Sequence, residues 1–355
     1  MKLIHCADLH LDSPMQTHLP ADHAGQRRQE LLSTFARLVE HADRNRVDAI
    51  LIAGDLFDSS RATRKTERYV LDTVAAHPDL AFFYLAGNHD SGAILSSDRP
   101  LPDNLHTFGD GWQTYEFGDV MITGSERPDP DTLNLPAGAL NVVLLHGQAD
   151  ASRNASPGDR IPLKKYRDKN IDYLALGHIH TYGETELDSR CTACYCGCPE
   201  GRGFDECGRK GFVLLETDGG RITHTFVPFA KRTLHEVTVD LSDVNSQPML
   251  EQLVSEALAT IPGDDMVKLV LTGDASPDAP LDLPRLEGLL DERFYFAKLA
   301  DKTRLRIDPE DYAHDVSLKG EFIRMVLADR KLSDGQKERV IACGLRVLRG
   351  EEPDL

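Results

Sequence analysis

Five short apolar segments in the first 180 residues each lead into a His, Asp or Asn, and this repetition constrains the fold more than any other feature of the sequence. The segments have the length of buried strands, and apolar residues at helical spacing, such as Leu31, Phe35 and Leu38, lie between the first two. Strands that alternate with helices and carry polar side chains at their carboxyl ends are typical of a layered α/β fold with its site along one sheet edge. The segments are residues 3–6, 49–52, 81–85, 142–145 and 173–176.

The polar residues after these segments have the chemistry of divalent-metal ligands. Carboxylate, imidazole and amide oxygen donors suit borderline ions such as Mn²⁺, Fe²⁺ or Zn²⁺. In Asp-x-His and His-x-His sequences the two side chains point to the same side, because side chains alternate along an extended chain. The set is too large for one ion, and a carboxylate such as Asp55 can bridge two ions about 3.5 to 4 Å apart, the arrangement used for displacement at phosphorus. We therefore predict a two-metal phosphoesterase site from Asp8, His10, Asp55, Asn88, His89, His146, His178 and His180.

The motifs that contain these residues resemble those of the calcineurin-like metallophosphoesterases. The resemblance covers the first half of the chain and implies a layered β-sandwich flanked by helices. The complete fold class that we expect is α/β, with a small α+β capping domain and C-terminal helices after this core. The matching motifs are Asp8-Leu9-His10, Gly54-Asp55, Gly87-Asn88-His89-Asp90, His146 and Gly177-His178-Ile179-His180.

Within that superfamily, the stretches at residues 5–11, 54–58 and 195–206 look like those of DNA repair nucleases of the SbcD and YhaO type. This similarity implies a nuclease subunit with exonuclease activity on duplex ends and endonuclease activity on single strands, in double-strand-break repair. It also implies a homodimer that works with an SMC-like ATPase of the SbcC or YhaN type. The implied cofactors are two Mn²⁺ ions per chain, with Fe²⁺, Mg²⁺ or Zn²⁺ as other candidates.

The same resemblance implies a role for each residue of the site. His89 would face the substrate, where it protonates the leaving oxygen or stabilises the charge on the phosphate. The first ion would be held by Asp8, His10 and His180, the second by Asn88, His146 and His178, and both by Asp55.

Two other functions stay open on the sequence. Small-molecule and cyclic-nucleotide phosphodiesterases share all the metal motifs, and an interaction subunit could merely retain the metal site. The intact set with His89 argues against the interaction subunit, and the residues after 230 argue against a small phosphodiesterase. Protein phosphatases carry Asp-Arg-Gly shortly after their Gly-Asp, whereas Leu56-Phe57-Asp58-Ser59-Ser60 follows here, which disfavours a phosphoprotein substrate.

The chain after residue 230 has no polar clusters at its predicted strand ends. We predict a nuclease domain at residues 1–230, a small α+β capping domain at 231–308 and a helical segment at 309–355. That segment contains two helical patterns, 318–329 and 335–348, with apolar stripes that include Phe322 and Val326 on one and Val340 and Leu345 on the other. Such stripes usually pack within their own domain, whereas the resemblance implies that they bind the coiled coil of the ATPase.

The net charge of −18 argues against a protein that coats nucleic acid through bulk charge, because phosphate binding relies on Lys and Arg. Contacts to phosphate must therefore be local. A helix over residues 61–73 would place basic side chains on one face beside the Gly54-Asp55 loop, either as a DNA contact or as a solvated face. The candidate DNA-binding residues are Arg61, Arg64, Lys65 and Arg68, with further basic clusters at 164–169 and at Arg202, Arg209 and Lys210.

Seven cysteines, five of them between residues 191 and 207, do not form the framework of a secreted disulfide scaffold. Their spacing lacks the two separated Cys-x2-Cys pairs of a zinc ribbon, which favours buried free thiols over a structural zinc site. No apolar run reaches the roughly 18 residues that span a membrane, and the N-terminus has no signal-peptide core. We expect a cytoplasmic protein without a membrane partner.

Overall fold

The computed structural model describes residues 1–15, 19–58, 62–89, 100–149, 160–275, 281–348 and 350. The chain divides into two compact units, Met1–Thr233 and Leu234–Leu355. All the residues predicted to bind metal lie in the first unit. The predicted subdivision of the later part at residue 308 stays a prediction.

The first unit contains two six-stranded sheets. In spatial order the first sheet consists of β14 (Arg221–Pro228), β13 (Gly211–Asp218), β1 (Lys2–Cys6), β2 (Ala49–Ala53), β3 (Ala81–Leu85) and β4 (Leu105–Thr107). Strands β1 to β4 pair in parallel, and β13 joins β1 antiparallel. Every residue of β2 is buried, as is typical of a parallel strand whose sheet is covered on both faces.

The second sheet packs against the first, so the α/β sandwich expected from the sequence is confirmed. Its spatial order is β11 (Gly183–Glu186), β12 (Thr192–Tyr195), β10 (Tyr173–Gly177), β7 (Leu140–His146), β6 (Val120–Gly124) and β5 (Gln113–Phe117). The core between the sheets includes Leu51 from the first and Val142 and Ala175 from the second. Two short strands, β8 (Gln148–Ala149) and β9 (Arg160–Ile161), form a separate pair.

Helices α1 (Ala21–Arg44) and α2 (Arg64–Ala75) contribute to the other core cluster of the first sheet. Leu31, Phe35 and Leu38 of α1 are buried, as their spacing predicts. Helix α2 begins at Arg64, later than the predicted start at residue 61, because Thr63 is extended and its hydroxyl accepts a hydrogen bond from the amide of Thr66.

A buried ion cluster joins α1 to the end of the first unit. The guanidinium of Arg27 is fully buried and donates to Glu30 and to Glu200, the latter at 3.0 Å. Arg232 also donates to Glu30, at 2.8 Å. Burial would raise the pKa of Glu30, but its hydrogen bonds from Arg232 and Arg27 outweigh burial and lower the pKa to about 2.

Replacing Arg27 by methionine should lower the free energy of unfolding by about 3 to 5 kcal/mol, because two carboxylates would stay buried without their shared partner. Urea unfolding followed by circular dichroism would measure the change. Arg44→Met on the same helix is the control, since its side chain is 72% exposed and should change stability by at most about 0.5 kcal/mol. Equal stability of both variants would contradict the importance of the cluster.

The second unit has a three-stranded parallel sheet with two helices in its core, and a separate apolar cluster formed largely by the last two helices. The first of the two C-terminal helices ends one residue earlier than predicted, and the second begins one residue earlier. Their other ends agree with the prediction. None of the described helices has the length and apolar character to cross a bilayer. The elements are β15 (Leu234–Asp240), α3 (Gln247–Ala257), β16 (Met266–Thr272), β17 (Asp274–Ala275), α4 (Leu283–Arg293), β18 (Phe296–Asp301), β19 (Arg304–Leu305), α5 (Leu318–Ala328) and α6 (Asp334–Leu348).

Candidate metal centre

Backbone hydrogen bonds hold the loops after the central strands side by side. The amide of Asp8 donates to the carbonyl oxygen of Gly54 at 3.0 Å, and the amide of His10 donates to that of Asp55 at 3.0 Å. The amide of His178, after β10, donates to the Asp8 carboxylate at 2.9 and 3.1 Å. Loops from both sheets therefore meet at one edge of the sandwich.

Four of the predicted ligands in these loops have a left-handed backbone. The φ angles are 55° at Asp8, 45° at His10, 51° at Asp55 and 100° at His178. This conformation costs a non-glycine residue about 1 to 2 kcal/mol. Such strain concentrates where function requires a fixed geometry, and here it falls on residues singled out from the sequence as ligands.

Asp8, His10 and His180 form the first group of donors. One ligand atom from each lies within 4.8 Å of the others. Asp8 and His10 are buried, whereas His180 is half-buried. The Nε2 atoms of His10 and His180 lie 3.1 Å apart, so both rings direct the same nitrogen towards one point.

Asp55, His146 and His178 form the second group, with the same limit of 4.8 Å between their ligand atoms. The Nε2 atom of His146 lies 3.3 Å from Oδ2 of Asp55 and 3.0 Å from Oδ1 of Asn88. Oδ2 of Asp55 also lies 3.7 Å from Nε2 of His10. Asp55 thus stands between the two groups, where a bridging carboxylate would be needed.

The backbone behind His146 fixes the direction of its ring. Its Nδ1 hydrogen bonds to the carbonyl oxygen of Ala53 at 2.9 Å, which leaves Nε2 facing the second group. Gly177 pairs with His146 between β10 and β7. A Cβ atom at Gly177 would overlap the Ala53 carbonyl and crowd the His146 ring. Glycine is therefore required at this position for the loops to approach.

Burial and mutual charge set the ionisation of the centre. Burial raises the pKa of Asp8 to about 6. Burial would also raise the pKa of Asp55, but the hydrogen bond and charge of His146 outweigh it and lower that pKa to about 2. In turn, burial alone would lower the pKa of His146, but Asp55 raises it to about 9. The two buried carboxylates therefore favour positive charge beside them.

The donor set fits two divalent cations. Each group combines one carboxylate with two imidazoles, and Asn88 adds an amide oxygen at the second group. Such mixed oxygen and nitrogen donors suit Mn²⁺, Fe²⁺ or Zn²⁺. Bound cations would also neutralise the buried carboxylates. Without bound cations, protonated histidines would have to neutralise them.

His89 lies beside the centre without belonging to either group. It is exposed, and its ring centroid is 5.1 Å from that of His10. Its amide donates to Oδ1 of Asp55 at 3.0 Å, and its Nδ1 hydrogen bonds to the carbonyl oxygen of Asp58 at 3.2 Å. The other ring nitrogen is therefore available to a substrate.

Three residues near the first group were not predicted from the sequence to support the metal centre, although Arg202 belongs to a basic cluster considered there for DNA contact. Nδ1 of His10 lies 3.2 Å from Oδ1 of Asp58, and Nδ1 of His180 donates to Oε1 of Glu206 at 2.7 Å. Arg202 donates to both carboxylates, each at 2.9 Å. The only sequence signal for these residues is their place inside the stretches 54–58 and 195–206 that carry the family resemblance.

The structure changes the interpretation of the basic clusters. Lys210 was considered as a DNA contact, but it is buried and its Nζ donates to the carbonyl oxygen of His180 at 2.6 Å. Arg202 is likewise occupied by the two carboxylates described above. Arg64, Lys65 and Arg68 are exposed on α2, whereas Arg61 lies outside the described residues.

The cysteines between residues 191 and 207 form no disulfide in the described part of the chain. Cys191, Cys194, Cys196 and Cys198 are buried, and Cys207 is half-buried. Among the described residues, the groups with metal-binding geometry contain no cysteine. Burial raises the pKa of Cys191 to about 12, which keeps that thiol protonated and unreactive.

Residues 1–182 match the calcineurin-like phosphoesterase family. Since this match covers more than half of the chain, the chain belongs to that family, whose members are metal-dependent phosphoesterases with a dinuclear metal centre. The resemblance inferred from the motifs is thereby confirmed.

Three relatives extend the similarity beyond the family domain. The metallophosphoesterase YhaO of Bacillus subtilis is 26% identical over 82% of this chain and 76% of its own length. The DNA double-strand break repair protein Mre11 of Methanopyrus kandleri is 26% identical over 96% of this chain and 86% of its own. The SbcD component of the nuclease SbcCD of Escherichia coli is 24% identical over 96% of this chain and 88% of its own.

Proposed function

We propose that this chain is the nuclease subunit of a DNA double-strand-break repair complex and hydrolyses phosphodiester bonds with two bound metal ions. The observation that carries the proposal is the placement of two neighbouring donor groups, with Oδ2 of Asp55 near a histidine of each and His89 exposed beside them. The first ion is assigned to Asp8, His10 and His180, the second to Asn88, His146 and His178, and both to Asp55. Mn²⁺ is the proposed metal, since it is one of the ions that suit these donors and it is the ion that the motif resemblance implies.

The metal ions, His89 and the ligand loops would have separate roles in the reaction. The ions, when bound, supply an activated water and neutralise charge on the phosphate. His89 would act as an imidazolium: its Nδ1–H would donate to the Asp58 carbonyl oxygen, and its Nε2–H would pass its proton to the leaving oxygen, which leaves a neutral imidazole. The ligand loops, in which four ligands have left-handed backbone angles, would hold the ligands in place without reorganisation during turnover.

The proposal of a DNA substrate rests on the names of the relatives and on the position of α2. Asp12, two residues after His10, accepts hydrogen bonds from the amide of Thr63 and the hydroxyl of Thr66 at the start of that helix. The exposed cations of α2 therefore extend from a point tied to the loop of the metal centre. We propose that Arg64, Lys65 and Arg68 contact the DNA backbone, with Arg61 as a further candidate.

Replacing Arg64 and Lys65 together by glutamine should weaken binding of duplex DNA and reduce its dependence on salt. Each lost phosphate contact should reduce the slope of log affinity against log salt by about 0.9. Fluorescence anisotropy between low and moderate salt, without divalent metal, would measure both effects. Arg127→Gln is the control, since its side chain is 80% exposed. An unchanged slope in the double variant would contradict the proposed contact.

The decisive experiment compares substrates. The purified chain with Mn²⁺ is incubated with end-labelled duplex DNA, single-stranded DNA, bis-p-nitrophenyl phosphate and a cyclic nucleotide. Shortening of duplex DNA from its ends and internal cutting of single strands are expected, and both should cease with chelator and return with Mn²⁺. Turnover of the small diesters alone would retain the phosphodiesterase chemistry and refute the DNA substrate.

We propose that helices α5 and α6 bind the SMC-like ATPase and that the chain acts as a homodimer. The two helices pack around Ile323 and Ile341, and this packing buries part of their apolar stripes. Leu318 and Met325 remain 72% and 65% exposed one heptad apart on α5. An exposed apolar pair on a short helix is suited to a coiled-coil partner.

Substituting glutamate at both Leu318 and Met325 should reduce affinity for an ATPase of the SbcC or YhaN type more than about tenfold, since apolar anchors dominate such contacts. Calorimetric titration of the purified partner would measure this. Met249→Glu is the control, because this methionine is 40% exposed on α3 of the same unit. Equal loss in the control would show that general surface charge, not this face, controls binding.

A further inference from the structure

The two histidines of the first donor group are each backed by a carboxylate, and one arginine links the carboxylates. Nδ1 of His180 donates to Glu206, and Nδ1 of His10 lies 3.2 Å from Asp58. Nη1 of Arg202 donates to Asp58 and Nη2 to Glu206, each at 2.9 Å. We call Asp58, Arg202 and Glu206 the outer triad.

The outer triad determines which ring nitrogen faces the centre. A carboxylate has no hydrogen to donate, so the 2.7 Å contact with Glu206 requires a hydrogen on Nδ1 of His180. The Nε2 lone pair is then free for a cation, and Nε2 is the atom that faces His10 at 3.1 Å. A carboxylate behind a histidine also makes the ring a stronger ligand.

Glu206 is itself held in place on both of its oxygens. Oε1 accepts from Nη2 of Arg202, and Oε2 accepts from the backbone amide of Arg202 at 2.8 Å. The Glu206 side chain is 7% exposed, so water competes little for these bonds. The Glu206 carboxylate is therefore held in a fixed position beside His180.

His146, in the second donor group, has a different kind of hydrogen-bond partner behind its ring. Nδ1 of His146 bonds to the neutral carbonyl oxygen of Ala53 at 2.9 Å. In the first group, by contrast, Nδ1 of His180 donates to the Glu206 carboxylate and Nδ1 of His10 lies 3.2 Å from that of Asp58, and a carboxylate partner makes a histidine a stronger ligand than a neutral carbonyl does. The first group should therefore attract a cation more strongly than the second.

We infer that the outer triad consists of positioning residues that make the site of Asp8, His10 and His180 the tighter of the two metal sites. This inference rests on the proposed two-metal function. It assigns Glu206 and Asp58 to one ion alone, through His180 and His10 respectively. Removing either carboxylate should therefore weaken one binding step and spare the other.

Calorimetric titration with Mn²⁺ alone tests the inference on the full chain. The wild type should bind two ions in steps of different affinity. Glu206→Ala should weaken the tighter step by about 10- to 100-fold and leave the weaker step within about twofold. Glu206→Gln keeps an acceptor oxygen for His180 and should recover part of the loss. His146→Ala, which removes a ligand of the second group, should retain the tighter step and identify it.

The control is Glu184→Ala, because Glu184 accepts a hydrogen bond from His224 at 2.8 Å outside the centre. Asp58→Ala acts on the same ion through His10, and it decides the question if Glu206→Ala does not fold by circular dichroism. Affinities unchanged in both carboxylate variants, or both steps weakened equally, would overturn the inference while leaving the proposed function intact. A wild-type chain that binds fewer than two ions would overturn the proposed function as well.

Discussion

Replacing His89 by alanine should reduce the rate of phosphodiester hydrolysis by about 10²- to 10⁴-fold while both metal ions stay bound. That range is what a positioned general acid contributes. His89 lies outside both donor groups, and its contacts within the centre are with the Asp55 carboxylate through its amide and with the Asp58 carbonyl through Nδ1. The loss should therefore appear in kcat, with little change in Mn²⁺ stoichiometry by elemental analysis.

His314→Ala supplies the control for this experiment, since His314 is exposed and lies in the second unit. Loss of an ion from His89→Ala would show that His89 is a ligand. Retention of full activity would show that another group protonates the leaving oxygen. A smaller loss with a leaving group that needs no protonation, such as p-nitrophenolate, would support the proposed role.

Replacing Asp55 by alanine should have the larger effect, with Mn²⁺ falling from two ions per chain to one or none. Oδ2 of Asp55 is the oxygen that lies near histidines of both donor groups, at 3.3 Å from His146 and 3.7 Å from His10. A metal pair provides several kcal/mol of transition-state stabilisation, which corresponds to at least about 10³-fold in rate. Steady-state kinetics and elemental analysis on the same preparation would measure both losses.

Asp79→Ala is the matched control, because Asp79 is exposed and lies just before the amino end of β3, whereas the ligands follow the carboxyl ends of their strands. Asp55→Asn should fall between the wild type and Asp55→Ala, since an amide oxygen can still coordinate one ion. If Asp55→Ala keeps two ions and normal activity, the bridging assignment is wrong and the two groups act independently.

Much of the site can be predicted from sequence because of how parallel strands end. The carboxyl ends of parallel strands lie at one edge of their sheet, so the residues after β1, β2 and β3 must approach each other, and so must those after β7 and β10. The meeting of these two sets depends on how the two sheets pack, which the rule does not give. Periodicity also places helix α1, whose buried residues Leu31 and Phe35 follow the helical repeat. These predictions need only local patterns and one general rule of sheet topology.

The outer triad could not be predicted in this way. Asp58 and Arg202 are separated by 144 positions, and nothing in either local pattern indicates that they form an ion pair. For the same reason the sequence places Arg202 and Lys210 among the surface cations, whereas in the fold Arg202 donates to Glu206 and Lys210 to the carbonyl oxygen of His180. Contacts between loops depend on the assembled fold and leave no periodic signal.

The pairing of β1 with β13 also bears on how the chain folds during its synthesis. Lys2 lies opposite Glu216 in this pair. A ribosome adds about 5 to 20 residues per second, so roughly 10 to 45 s separate the synthesis of the two partners. Throughout that interval the open edge of β1 is a template for wrong pairing. All the proposed ligands, up to His180, are translated before β13 exists, so a nascent chain can meet metal before its first sheet is closed.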